Sequence, residues 1–296
     1  MKSGKPSLLK KSQLLVENAT TDLYRWLTSN PPLVNAKELR IIGLRRTGNH
    51  AIAEWLKAQI EGPTEHLNNL ETRCSPYRYK YEHIMFYHSE HSRWAKNHYL
   101  PLAQGQFKKL SCLICGYEDH DLQDIADLIY EQLHDVHLGK SAERYDILIL
   151  RDPFNLFASR LKSNMINVKR KRYQAAHLWL QYAREFLGET NYLTHNKLCI
   201  SYNRWFADQS YRQQISEYLG LTFSDEGMQT VNHLGGGSSF DGQALDGAAS
   251  QMAVLDRWKS FADDPRFCQI FAENPALKHY SQKIFGEIPG TEMLFA

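Results

Sequence analysis

The hydrophobic residues of the chain form short apolar runs separated by longer stretches with helical spacing. The short runs predict buried strands over residues 39–42, 110–116, 147–150 and 198–202. The longer stretches predict a helix through Ile52, Trp55, Leu56 and Ile60, and further helices over residues 121–133, 154–162, 173–187 and 210–219. Strands that alternate with helices indicate an α/β fold, in which a parallel central sheet is flanked by helices.

Two segments lie outside this alternation. Residues 1–37 contain one predicted helix, about 13–27, and we interpret them as an N-terminal helical extension that ends at the prolines of positions 31 and 32. Residues 72–109 lose their periodicity and are rich in tyrosine and histidine, which is typical of a functional lid or a substrate pocket. We expect both segments to belong to a single domain that covers residues 1–296.

Composition and charge narrow the class of protein. With 296 residues, 43% of them hydrophobic, the chain can bury a large core, and its net charge of +2 argues against a partner such as nucleic acid. Five scattered cysteines favour a reducing cytoplasm over a secreted disulfide scaffold. No window approaches the roughly 20 apolar residues of a membrane helix, and no apolar stretch near the N-terminus is long enough for a signal peptide. We therefore expect a soluble cytoplasmic protein.

A glycine-bracketed loop follows the first predicted strand. Gly43–Leu44–Arg45–Arg46–Thr47–Gly48–Asn49–His50 leads into a predicted helix, which is the arrangement of a phosphate-binding loop. Asn49 and His50 stand where a nucleotide-hydrolysing enzyme carries lysine and a magnesium-binding serine or threonine, so no metal is expected. Arg45 and Arg46 add guanidinium groups, which bind oxyanions with two hydrogen bonds. The glycine spacing alone favours a plain strand–turn–helix connection; the loop's place at the carboxyl end of a strand favours an anion site.

A second motif stands at the end of the third predicted strand. Arg151 ends the strand, and Ser159 follows eight residues later on the predicted helix. This pair resembles the 3'-phosphate-binding motif of sulfotransferases that use 3'-phosphoadenosine 5'-phosphosulfate (PAPS). The glycine loop resembles the 5'-phosphosulfate-binding segment of the same family: Thr47 and Gly48 match it directly, and Arg46 stands where cytosolic members carry lysine and several bacterial members arginine. The resemblance covers about residues 39–221 and implies a P-loop-like sulfotransferase fold.

The resemblance implies which residues hold the donor PAPS, without a metal ion. They are Arg45, Arg46, Thr47, Gly48, Asn49, His50, Arg151 and Ser159. Asn49 and His50 depart from the family's serine or threonine pair, so the resemblance carries over their backbone amides rather than their side chains. Family members also present an Arg-Lys-Gly segment to the 3'-phosphate, where this chain has three glycines and two serines. We expect loop amides and hydroxyls to replace the basic pair, with a flexible linker as the alternative; these residues are Gly236, Gly237, Ser238 and Ser239.

The reaction implied by the resemblance requires stabilised charge and a base. Arg46 is expected to stabilise the charge on the oxygen that joins the sulfate to the departing nucleotide. Members with a carboxylate base place it shortly after the first helix, so Glu65 is the first candidate for the general base. Glu118 and His120, which follow the strand 110–116, are the reserve candidates. Each has an ordinary alternative, a solvated turn for Glu65 and a helix start that favours acidic residues for Glu118.

The resemblance implies a small-molecule acceptor with a hydroxyl or amine group. The loop variant looks like bacterial and cyanobacterial members, some of which tailor natural products, and a guanidinium toxin such as saxitoxin is one acceptor that this suggests. A P-loop kinase of a small metabolite and a nucleotide-binding protein without turnover are the alternatives. The family's dimerisation pattern is incomplete around Thr230 and Val231, which leaves the oligomeric state open.

Two further features have ordinary interpretations. Cys112 and Cys115 lie three residues apart in an apolar strand, which points their side chains to opposite faces and argues against a metal site. The basic run over residues 169–172 is typical of a solvated surface.

Overall fold

The computed structural model describes residues 8–72, 74–168, 175–231 and 237–295. Five strands form one sheet in the order β2-β3-β1-β4-β5. Their bounds are Leu33–Gly43 for β1, Thr64–Leu67 for β2, Leu110–Glu118 for β3, Lys140–Leu150 for β4 and Leu198–Ser201 for β5. At the two edges the pairing is parallel, with Thr64 opposite Cys112 and Ile147 opposite Leu198. The predicted α/β class with a parallel central sheet is confirmed.

Helices precede, connect and follow the strands. The α-helices of the described ranges are α1 (Leu8–Thr28), α2 (Asn49–Lys57), α3 (Pro76–Tyr87), α4 (Ser92–Ala103), α5 (Leu122–Ile125), α6 (Leu128–Leu138), α7 (Pro153–Lys162), α8 (Ala175–Phe186), α9 (Tyr202–Ala207), α10 (Gln209–Tyr218), α11 (Pro265–Glu273) and α12 (Ala276–Phe285). None of the helices described is long and apolar enough to cross a membrane. The basic run 169–172 lies outside the described residues.

The helix after β4 starts abruptly because its first residues form a cap. The side chain of Asp152 accepts a hydrogen bond of 2.8 Å from the Asn155 amide, and Pro153 occupies the first helical position. Such a cap satisfies an amide that has no acceptor inside the helix, and proline already has a helical φ. The turn from β4 into α7 is therefore tight, and it places Arg151 at the carboxyl end of the sheet.

The aromatic segment is helical, in contrast to the long irregular connection that the sequence pattern indicates. Ser75 caps α3, with Pro76 at its start, and α4 follows after a short turn. Tyr77 of α3 and Tyr99 of α4 are buried, and their ring centroids lie 6.4 Å apart. Aromatic and polar residues occur all round α3, so the spacing that reveals a one-sided helix is absent from its sequence. A second difference is β2, a strand too short to stand out as an apolar run.

Contacts divide the chain into two compact units. The first comprises Met1–Leu39, Gly62–Gly116 and Gln123–Arg144, and the second comprises Arg40–Glu61, Tyr117–Leu122 and Tyr145–Ala296, as far as these ranges are described. The helix α1 and the aromatic helices α3 and α4 fall in the first unit. The assignment of residues 1–296 to a single domain stays a prediction.

A buried carboxylate is fully hydrogen-bonded in the first unit. Glu38 has no exposed surface, and its oxygens lie 2.7 Å from Nε2 of His134 and 2.6 Å from the Ser141 hydroxyl, which donates to it. Arg144 donates a further bond of 3.3 Å. Burial raises the pKa of Glu38, but the charges and hydrogen bonds of His134 and Arg144 lower it more, so its pKa lies well below the ordinary 4.5.

The substitution Glu38→Gln is expected to reduce the free energy of unfolding by up to roughly 3–5 kcal/mol near neutral pH, because it removes the buried counter-charge of His134 and Arg144 and leaves them the more exposed Asp135. A carboxyl with a lowered pKa stabilises the fold above its unfolded pKa, and that stabilisation is lost as the pH falls. The difference in the free energy of unfolding between wild type and Glu38→Gln should therefore narrow below about pH 4.5. Urea unfolding between pH 3 and 7 measures it, with the exposed Asp256→Asn as control. A constant gap would contradict the assignment.

Candidate functional site

The glycine loop of the second unit has a strained, left-handed backbone at its centre. Arg46 has φ 72° and Gly48 has φ 103°. A left-handed conformation disfavours a residue with a side chain by roughly 1–2 kcal/mol, and Arg46 retains it while its carbonyl accepts a bond of 3.2 Å from the Arg151 side chain. The helix α2 starts at Asn49, and the first amides of a helix have no acceptor within it. The loop therefore directs backbone donors to the space beside it, as an anion site requires.

Tyr202, at the start of α9, packs directly against the loop glycine. A Cβ atom on Gly48 would lie 2.1 Å from Cε2 of the Tyr202 ring. On the other side, the Arg151 guanidinium lies 5.1 Å from the centroid of the same ring. The ring therefore contacts both the loop and Arg151, and no residue larger than glycine fits at position 48.

The substitution Gly48→Ala is expected to reduce the free energy of unfolding by roughly 1–3 kcal/mol more than Gly188→Ala does. Gly188 has φ 75° and no atom within 4 Å of its Cβ position, so its substitution isolates the backbone strain. The excess at Gly48 comes from the clash with the buried Tyr202 ring. Urea unfolding of both variants measures the difference, and equal losses would show that the ring moves aside.

Asn49 uses its side chain to close the loop. Its Nδ2 donates to the Leu44 carbonyl (3.0 Å) and to Oε1 of Glu118 (3.1 Å). A Cβ atom on Gly43 would lie 2.1 Å from the Asn49 Oδ1 atom, so glycine is needed there as well. The departure from serine or threonine at this position thus has a structural use: the amide group joins the loop to the end of β3. Glu118 also lies 3.6 Å from Nε of Arg45 and 3.7 Å from Nε2 of His50.

A buried ion pair between Arg160 and Asp119 stabilises the loop. Arg160, with no exposed side-chain surface, donates to both oxygens of Asp119 at 2.8 and 3.1 Å. Asp119 also accepts the Arg45 amide at 2.9 Å, and its own amide donates to the Gly43 carbonyl. Sequence reasoning missed this pair, although Arg160 directly follows Ser159 and Asp119 directly follows Glu118.

Arg151 and Ser159 come together as the motif predicts. Both side chains are buried, and Nη1 of Arg151 lies 3.4 Å from the Ser159 hydroxyl. Nη2 donates to the Val254 carbonyl. Burial lowers the pKa of Arg151 to about 10, against the smaller opposing effects of Tyr202 and Asp152. Because Arg151 also bonds to the Arg46 carbonyl, the two predicted motifs are in direct contact.

The charge of Arg151 has no carboxylate partner within 4 Å among the described residues, and its buried Nε atom has no hydrogen-bond partner there. The hydroxyl of Thr47, fully buried in the loop, also lacks a partner in the described part of the chain. Buried polar groups are normally hydrogen-bonded, and buried charges are normally paired. The two groups therefore fit an anionic ligand with several acceptor oxygens.

The glycine–serine segment is partly described. Gly236 lies outside the described residues; the Gly237 carbonyl accepts a bond of 3.2 Å from Arg46. The Ser238 hydroxyl accepts from Arg257 at 2.7 Å and donates to Asp241 at 2.8 Å, so it is already engaged. The Ser239 hydroxyl is buried, and it has no hydrogen-bond partner within the described ranges. Arg257, which brings a guanidinium to this segment, is a residue that sequence reasoning missed.

The three base candidates have different surroundings. Glu65 lies on β2 in the first unit, where its Oε2 is 3.1 Å from Nε2 of His98. Glu118, in the second unit, contacts the loop residues Asn49 and Arg45. His120 is buried, and its backbone carbonyl accepts a hydrogen bond of 2.7 Å from the Tyr182 hydroxyl.

The chain has the sulfotransferase fold. It is similar to the sulfotransferase domain of the olefin synthase of Synechococcus PCC 7002, with a TM-score of 0.53 and 14% identity over 89% of this chain and 99% of that one. The fold predicted from the two motifs is thereby confirmed.

Two further solved structures are similar at lower scores. The sulfotransferase domain from the curacin biosynthetic pathway has a TM-score of 0.43 and 13% identity over 83% of this chain and 98% of that one. Mouse sulfotransferase SULT7A1, in complex with PAP, has a TM-score of 0.43 and 14% identity over 88% and 96%. No protein-family model matches the sequence, and no curated protein matches it either.

Proposed function

We propose that this protein transfers the sulfuryl group of PAPS to a hydroxyl or amine group of a small-molecule acceptor. The observation that carries the proposal is the buried guanidinium of Arg151, which stands beside Ser159 and lacks a carboxylate partner among the described residues. Buried charges are normally paired with an opposite charge. The 3'-phosphate of the donor would supply it, and that phosphate distinguishes PAPS from ordinary adenine nucleotides.

The loop residues fit the other end of the donor. The 5'-phosphosulfate would lie against the amides at the start of α2, within reach of the Thr47 hydroxyl, which has no hydrogen-bond partner among the described residues. Arg45 and Arg46 supply positive charge where a kinase uses lysine and magnesium. We therefore propose that the reaction needs no metal ion.

We propose catalytic roles for Arg46 of the loop and Glu65 of β2. When bound, the donor supplies an activated sulfuryl group, whose bond to the bridging oxygen breaks as its bond to the acceptor forms. Arg46 would stabilise the negative charge on that oxygen, since its strained backbone fixes where its side chain starts. Glu65 would accept the acceptor's proton, with His98 within hydrogen-bonding distance of it. Glu118 and His120 stay the reserve candidates, and Glu118 would act mainly as an anchor of the loop.

We also propose a cellular compartment and a class of acceptor. Five cysteines scattered over 296 residues fit a reducing compartment, and we place the protein in the cytoplasm. A natural product, for example a guanidinium compound of the saxitoxin type, is one acceptor to include in a screen.

Calorimetry with adenosine 3',5'-bisphosphate (PAP) and with AMP, each with and without magnesium, tests the proposed donor. We expect PAP to bind at least tenfold more tightly than AMP, because only PAP carries the 3'-phosphate, and we expect no magnesium dependence. Equal affinities would overturn the proposal, and magnesium-dependent binding of ATP would support a kinase instead. If PAP binds, incubation with PAPS and candidate acceptors, followed by mass spectrometry for an added sulfonate, identifies the acceptor; failure with all of them would favour a binding protein without turnover.

The base candidates separate by their effects on turnover and on donor binding. Glu65→Gln should lower kcat by roughly 100-fold or more while the affinity for PAP stays unchanged. Glu118→Ala should weaken PAP binding as well, because it removes the acceptor of the Asn49 hydrogen bond that closes the loop. Steady-state kinetics and calorimetry on both variants measure the two effects. A Glu65→Gln protein with normal kcat would eliminate Glu65 as the base.

A further inference from the structure

Arg257 lies on a segment that is firmly attached to α7. Asn155 of α7 donates to the Leu255 carbonyl at 2.9 Å and accepts from the Trp258 amide at 3.2 Å. Arg151 donates a hydrogen bond to the carbonyl of Val254 in the same segment. Hydrogen bonds on both sides of Arg257 therefore fix its backbone relative to the Arg151–Ser159 pair.

The partner of Arg257 lies on a tight turn. Ser238 and Gly242 exchange two backbone hydrogen bonds of 2.9 and 3.0 Å, and Asp241 stands between them. Nη2 of Arg257 donates to Oδ2 of Asp241 at 3.1 Å and to the Ser238 hydroxyl at 2.7 Å. The Arg257 side chain is 8% exposed and that of Asp241 30%. Gly237 and Gly242, at the ends of the turn, both have positive φ, a conformation from which glycine changes readily.

This turn belongs to the proposed donor site. The carbonyl of Gly237 accepts a hydrogen bond from Arg46, one residue before the serine that Arg257 holds. Burial is the largest effect that lowers the pKa of Arg46, and the charge of Glu118 opposes it. The positive charge of Arg257 also lowers the pKa of Arg46, and it lowers the pKa of Arg151 as well. Three guanidinium groups therefore share one electrostatic environment.

The three guanidinium groups differ in how they are neutralised. Within the described residues, Arg151 has no carboxylate within 4 Å, whereas Arg257 has Asp241. A phosphate group offers three acceptor oxygens and more charge than a carboxylate, so it competes for the same donors. Hydrogen bonds fix the backbone on both sides of Arg257. The turn that carries Asp241 instead has a flexible glycine at each end, so Asp241 is the partner that can move away.

We infer that Asp241 is an internal substitute for a phosphate of the donor: it neutralises Arg257 in the donor-free protein and releases it to the anionic ligand. The inference rests on the proposed function. It accounts for a chain that lacks a basic pair before Phe240, because the cation comes from Arg257 instead. It also assigns to Asp241 a role that opposes donor binding.

The direction in which Asp241→Asn changes the affinity for PAP tests the inference. Calorimetric titration of the full chain with PAP should show that Asp241→Asn binds three- to tenfold more tightly than wild type, because the competing charge is gone. Arg257→Ala should bind roughly tenfold or more weakly, and the gain from Asp241→Asn should be absent in the Arg257→Ala background. Asp264→Asn, which breaks an exposed pair with Arg266, is the matched control and should leave the affinity unchanged.

Opposite outcomes overturn the inference. If Asp241→Asn binds PAP equally or less tightly, Asp241 only positions Arg257 and does not compete with the donor. Thermal unfolding identifies a variant that has lost its fold, and Asp241→Ser then tests the same sign without the carboxylate. Wild-type protein that fails to bind PAP would contradict the proposed function itself, which is a different result from PAP binding that ignores Asp241 and Arg257.

Discussion

Arg151→Ala is expected to reduce the affinity for PAP by roughly 2–5 kcal/mol, about 30-fold or more. The side chain is buried beside Ser159, and no carboxylate within 4 Å neutralises it in the described part of the chain. Its interaction with a phosphate therefore takes place where water screens it little. Calorimetry with PAP measures the loss, and the affinity for AMP should change little because AMP lacks the 3'-phosphate.

The stability of the Arg151→Ala protein distinguishes ligand binding from a structural role. Among the described residues the substitution strands no carboxylate within ion-pair distance, although the Arg46 and Val254 carbonyls lose a donor, so the free energy of unfolding should fall less than the binding free energy. Arg151→Lys retains the charge but loses the two-pronged geometry, and it should fall between wild type and Arg151→Ala in PAP affinity. Equal losses for PAP and AMP would show that Arg151 does not read the 3'-phosphate.

Asp119→Asn is expected to produce the largest loss of stability among substitutions at the site, roughly 3–5 kcal/mol. It leaves the guanidinium of Arg160, which has no exposed surface, without its counter-charge. Asparagine has almost the same shape as aspartate and tolerates the left-handed backbone that Asp119 has at φ 59°. The substitution therefore tests the charge with little change in shape or backbone preference.

A matched surface pair provides the control for Asp119→Asn. Asp264 also binds an arginine through both oxygens, at 3.2 and 2.8 Å, but the side chain of its partner Arg266 is 68% exposed. Asp264→Asn should therefore change the stability little, because exposed ion pairs are well screened. Urea unfolding compares the stability of the two variants, and PAP titration should show that only Asp119→Asn weakens PAP binding. Equal changes in stability would mean that Arg160 finds another partner.

Local motifs explain why part of the site could be predicted from the sequence. The loop over residues 43–50 is continuous, and Arg151 and Ser159 lie on one strand–helix connection, so their spacing is visible without a tertiary structure. Short β2 and the helices α3 and α4 could not be predicted, since their patterns of apolar residues are weak.

The sequence by itself determined the α/β class and the two donor motifs, because apolar periodicity and residue spacing are local properties. Only the tertiary structure decided which charges are paired. Asp119 neutralises Arg160 across 41 positions, and Asp241 neutralises Arg257 across 16. Arg151 alone of these three arginines has no carboxylate within 4 Å in the described ranges. Charge pairing depends on distances between residues that folding brings together, and this is why the predicted arginine acquired its significance only in the folded chain.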